Sequence, residues 1–255
     1  MENEEIIIIL AIVIILAFSG RLSGIAGENN NSDAGLVNYE PEITNACELS
    51  DVTYGRSTVK VPAIDEDGNG VVTLVMVESM GGTGRTLVDI DQLLFWTDTQ
   101  YSIQVSKFVA GHYTNYDLSN VDLIYAIDTE AGAIEGPSAG AALTIATISA
   151  LYNESIRKDV MITGTIGPDG SIGKVGGVLE KATAAKEMGA TVFLVPEGQA
   201  TAEIEKSGET CEKIGPLNYC TDEPMPMIIN ISDYLGIDVI EVSTIEDAVP
   251  YFMEV

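Results

Sequence analysis

Ser138, in the run Glu135-Gly136-Pro137-Ser138-Ala139-Gly140, and Lys181, 43 residues later in Gly176-Gly177-Val178-Leu179-Glu180-Lys181, have settings that suit nucleophilic chemistry. A serine hydroxyl attacks a carbonyl only once a base takes its proton, and an amine is that base only when neutral. A lysine reaches that state by leaving water, which disfavours the ammonium and lowers the pKa. On a helical wheel over 178–189, Lys181 falls between Ala185 and Met188, in an arc that also holds Val178, Ala182 and Ala184; Glu180, Thr183 and Glu187 share the opposite arc. The pattern turns the ammonium inward. An isolated lysine also fits a snorkelling role, its stem over apolar surface and its head in water.

The serine has a helix argument of its own. Pro137 suits a first helical turn, and the residues from Ala139 to about Tyr152 are nearly all apolar, which predicts a buried helix. Ser138 then sits at a helix N-terminus, where unpaired N–H groups and the positive end of the dipole converge on any oxyanion formed there. A serine that merely caps the helix fits the same position.

Other chemistries find fewer residues. His112 is the one histidine, so a Ser-His-Asp site would have to use it and an H-E-x-x-H metal site is impossible; a surface or helix-end histidine fits better. No two cysteines have C-x-x-C spacing. The closest approach to a phosphate loop, Pro168 to Val175, has proline at the first glycine and valine at the hydroxyl position, and reads instead as a turn between strands with Asp169-Gly170 as the reversal. Gly81-Gly82-Thr83-Gly84-Arg85 lacks the following lysine and reads as a loop. Asp65 to Gly70 begins like a calcium loop, but Met76 takes the twelfth position and strand-like runs flank it, so a hairpin turn is expected. No cofactor or metal is expected.

The segments Glu135 to Gly140, Ile162-Thr163-Gly164, Gly176 to Lys181 and Ala190 to Pro196 resemble, in order and spacing, the proteolytic domain of the Lon protease family. The resemblance runs from about Val59, through Val61-Pro62-Ala63 and Asp98 to Ser102, to about Pro196, and resumes from Gly236 to Phe252. It implies Ser138 as nucleophile, Lys181 as base and Thr163 as the hydroxyl that orients the lysine, with Gly136 and Pro137 supporting the serine turn. Glu135 resembles the membrane-bound archaeal branch, whereas Pro137 to Gly140 resemble the bacterial branch. Glu135 therefore either shapes the oxyanion loop or is a charge that the helix dipole favours. Residues 197–235 have no counterpart in the resemblance, and these 255 residues hold no ATPase motif. The implied activity is an ATP-independent serine endopeptidase acting on unfolded or flexible polypeptide, with a separate unfolding partner for folded substrates and a homo-oligomer, a hexameric ring, as the assembly. A catalytically silent scaffold or peptide-binding module of the same fold is the alternative. A kinase of related fold is disfavoured by the failed phosphate loop.

The chain carries 39 acidic and 12 basic residues, net −27, too few cations to neutralise nucleic-acid phosphates or to seek anionic headgroups. Its 46% hydrophobic content is ordinary for a domain of this length. Ile6 to Phe18 is an unbroken apolar run of 13 residues. That is about 20 Å of helix, short of a bilayer core and close to a signal-peptide core. The acidic residues before it argue against a signal, so residues 1–25 read as either a signal or a membrane anchor. Residues 26–57 read as a polar linker and 58–255 as the catalytic domain. Cys211 and Cys220 could staple the unmatched segment in an oxidising compartment, which, with the polar linker, favours a catalytic domain outside the cytoplasm. Arg21, after the run, points to the cytoplasmic side instead.

The elements that must position the pair are mixed α/β: an α+β fold, a mixed sheet with covering helices. Strands are expected near 58–65, 70–78, 121–127, 160–166, 171–175, 191–195 and 238–242. Helices are expected near 91–112, with Thr97 to Thr99 as an interruption, over the serine and lysine segments, and at 244–253.

Overall fold

Alternation of buried and exposed side chains in Gly55–Ile64 makes the first strand, β1, and a 12-residue strand, β2 (Gly70–Gly81), returns antiparallel to it. In the computed structural model, residues 54–89, 97–128, 136–215 and 217–253 are described. The apolar run at 6–18 and Glu135 lie outside them. Among the described residues no helix is long and apolar enough to cross a membrane. β1 begins at Gly55, inside the linker expected to reach 57.

The β1–β2 reversal is the hairpin turn expected at Asp65 to Gly70. The Asp65 carboxylate accepts the N–H groups of Asp67 and Asn69 at 3.0 and 2.8 Å, so its charge is spent on its own turn. β3 (Thr86–Val88) and β4 (Val121–Asp128) complete a four-stranded sheet in the order β1-β2-β4-β3, with β3 parallel to β4. β3 was not anticipated. The loop before it is tied down by Asp122, which accepts the N–H groups of Thr83 and Arg85 and the Arg85 guanidinium.

α1 (Thr97–Thr114) takes in the threonines read as an interruption. α2 (Gly140–Tyr152) is buried from Gly140 to Leu151 and packs between the four-stranded sheet and α1. A helix apolar on all sides can only be stable inside. A second sheet is parallel, β11 (Asp238–Val242) beside β8 (Val192–Pro196) beside β5 (Val160–Ile162). The expected strand 160–166 breaks at Thr163 and Gly164, after which β6 (Thr165–Ile166) pairs with β7 (Ile172–Gly173). α3 (Val178–Glu187) carries Lys181. α5 (Ile245–Phe252) opens with a capping box in which Thr244 and Asp247 satisfy each other's backbone N–H.

The segment read as having no counterpart is a ribbon. β9 (Thr201–Ile214) and β10 (Leu217–Asn230) pair over 14 residues each and, among the described residues, with no other strand. Cys211 and Cys220 are directly opposite and joined by a disulfide, the staple expected of them. Pro224 and Pro226 share one parity, which suits missing N–H groups on the ribbon's free edge. A single turn of helix, α4 (Ile231–Leu235), leads back to β11.

Candidate active site

The serine turn is held by the end of β5. Gly136 adopts φ 95°, which a side chain would strain, and aims the chain into a 3₁₀ turn over Pro137–Ala139 that runs on into α2. Gly164 N–H donates to the Ser138 carbonyl at 3.0 Å, and Ala141 N–H donates to the Gly164 carbonyl at 3.0 Å. This exchange explains the break in the expected strand: from Gly164 on, the backbone pairs with the serine turn instead of with β8. The fully buried Thr163 takes part, its N–H donating to the Leu194 carbonyl and its hydroxyl to the Ser138 carbonyl at 3.5 Å. Gly140 permits the close approach, because a Cβ there would lie 2.7 Å from Ile166 Cγ2.

Sequence reasoning missed the rear support of this turn. The Gly140 carbonyl accepts from Thr144 Oγ1 at 2.9 Å and from Ser106 Oγ of α1 at 3.1 Å, and the two hydroxyls are 3.1 Å apart. All three residues are buried, so this network fixes the helix start against α1. The readable signal was polar residues inside otherwise apolar helical stretches.

On α3, the buried residues are Val178, Lys181, Ala182, Ala184 and Ala185, the arc read from the wheel; Met188, at its edge, is exposed. Lys181 is only 4% exposed. Burial pushes its amine pKa below the ordinary 10.5, with the neighbouring Glu180 opposing the shift.

Ser138 and Lys181 line one cavity of about 400 Å³, together with Gly136 and Pro137. Thr165, Lys174, Val175 and Gly176 contribute further wall, and none of them was expected as a site residue. No direct hydrogen bond joins the Ser138 hydroxyl to the Lys181 amine among the described residues. Catalytic hydrogen bonds in empty sites commonly shorten only with substrate present. Thr163 lies behind the cavity, bonded to the serine backbone and not to the lysine. The wall at Val175 is clamped by Gln199, whose Oε1 accepts the Val175 N–H at 2.9 Å and whose Nε2 donates to the Val175 carbonyl at 2.7 Å.

His112 stands apart from this arrangement. It is exposed near the end of α1, stacked on Phe108 at 5.8 Å, beside a separate cavity of about 610 Å³ that Ser138 and Lys181 do not line. Glu209 approaches Cys211 and Cys220 closely enough to suggest a metal group, but the disulfide occupies both sulfurs.

Comparison with known proteins agrees with the geometry. Residues 97–214 match the Lon protease (S16) C-terminal proteolytic domain, a match that takes in the whole of β9 and so covers residues 197–214 of the segment read as having no counterpart. The archaeal Lon protease of Methanocaldococcus jannaschii is 34% identical over 112 residues, 42% of this chain and 17% of that protein. The Lon protease of Fusobacterium nucleatum is 40% identical over 149 residues, 58% of this chain and 18% of that protein. For the Lon protease of Clostridium acetobutylicum the figures are 27% over 181 residues, 68% and 21%. The chain thus spans about a fifth of the length of these curated relatives.

Proposed function

We propose that this chain is a serine endopeptidase that cleaves unfolded or flexible polypeptide through Ser138 and Lys181, a reading supported by the match of residues 97–214 to the Lon protease (S16) C-terminal proteolytic domain. The observation that carries the reading is the shared cavity: a serine on a helix start and a lysine kept from water face the same space. Ser138 Oγ attacks the scissile carbonyl as its proton passes to Lys181 Nζ. The first N–H groups of the serine turn, those of Ser138 and Ala139, stabilise the oxyanion. The resulting ammonium protonates the departing amine, leaving an acyl-serine and a neutral lysine that activates water for its hydrolysis. Thr163 and Gly164 contribute by fixing the Ser138 backbone. Peptide cleavage assayed with Ser138→Ala and Lys181→Ala tests the reading; each substitution is expected to abolish turnover while the chain stays folded, and turnover retained by either refutes the pair.

The same proposal extends to setting. These residues supply no phosphate loop, so cleavage by this chain alone proceeds without ATP. The Cys211–Cys220 disulfide supports an oxidising compartment, with the apolar run at 6–18 as the membrane tether. Assembly as a homo-oligomer belongs to the same reading and is tested by light scattering on the intact chain.

A further inference from the structure

Lys174 and Lys181 give the cavity two amines, and the described residues that line it include no aspartate or glutamate. That is a local inversion in a chain with 39 acidic residues against 12 basic ones. The two lysines differ in their relation to water. Lys181 is buried on α3, whereas Lys174 follows β7, is exposed, and lines the same cavity. No ion pair among the described residues includes Lys174. The Glu241 carboxyl is held below its ordinary pKa chiefly by the Ala200 N–H that it accepts at 2.8 Å, with Lys174 a lesser cause.

The lysine is also held in place. The next residue, Val175, has both backbone groups clamped by Gln199. Gly198, at φ 76°, lets the lysine head lie close to the turn after β8: Nζ is 3.5 Å from where a Cβ on Gly198 would stand. A cation fixed on a clamped segment beside the nucleophile recognises a carboxylate better than one on a free loop, because less freedom is lost on pairing.

We infer that Lys174 makes this site selective for polypeptide segments that carry an acidic side chain close to the scissile bond. The inference rests on the peptidase reading above and names its substrate class. Paired quenched peptides, identical except for Glu, Gln or Lys at single positions flanking the cleaved bond, measure it with the intact chain. At one of those positions the wild type is expected to cleave the Glu peptide about fivefold faster in kcat/KM than the Gln peptide, the scale of a partly exposed ion pair. Lys174→Gln is expected to bring that ratio to about one, and Lys174→Glu to move the preference to the Lys peptide. Equal cleavage of the Glu and Gln peptides at every position, or a Glu preference that survives Lys174→Gln, overturns the inference. If no peptide is cut, a serine-reactive fluorophosphonate separates the levels: labelled Ser138 overturns the selectivity alone, and unlabelled Ser138 overturns the peptidase reading with it.

Discussion

Lys181 is the residue on which the proposed chemistry turns, and its burial makes two predictions. Its folded pKa lies below the ordinary lysine value of 10.5, so activity should climb with pH as the amine deprotonates, along a limb centred below that value. Lys181→Arg should be inactive across the whole range, because a guanidinium cannot act as a base; an active arginine variant contradicts the assignment. The same shift has a cost in stability. Between the lowered folded pKa and 10.5 the unfolded chain binds more protons than the folded one, so stability should rise with pH through that window. Lys181→Met should flatten the rise and stabilise the protein at neutral pH, as read from denaturant midpoints at several pH values. The inward lysine was legible in the sequence because helical periodicity alone places it among alanines and Val178. Thr163 was legible as a site residue only through resemblance, and its bond to the Ser138 carbonyl depends on a strand break that no local pattern announces.

Among the elements, the helices carrying Ser138 and Lys181 and the β1–β2 hairpin follow from apolar runs, turn residues and caps near each other in sequence. The parallel sheet of β5, β8 and β11 draws on distant segments, and only the existence of its strands could be read. Residues 197–235 were opaque for another reason: β9 is rich in charge and β10 holds two prolines, so neither resembles a strand until its partner is opposite. An isolated two-stranded ribbon is marginal by itself. The disulfide closes a short loop across it, at a sequence separation of 9, and opposes its opening by about 2–3 kcal/mol. Reduction, or Cys211→Ser with Cys220→Ser, should therefore expose 203–228 to nicking by an added protease while the rest of the domain stays intact. Resistance identical to that of the oxidised protein would show that packing holds the ribbon without the disulfide.

At the scale of the whole molecule, a net charge of −27 works against compactness. Raising salt from about 0.01 M to about 0.15 M shortens the screening length from about 30 Å to about 8 Å, so the thermal midpoint should rise over that range; a fall would mean that attractive ion pairs outweigh the repulsion. The purified chain should also degrade an unfolded polypeptide at the same rate with and without ATP and leave a stable folded one intact. The central claim, that Ser138 is activated by Lys181 in one cavity, is tested most directly by fluorophosphonate labelling followed by mass spectrometry of the modified peptide. The account predicts modification at Ser138 in the wild type, and none at that residue in Lys181→Ala measured at the same pH. Wild-type Ser138 left unmodified, or Ser138 modified as fast without the lysine as with it, would contradict the account.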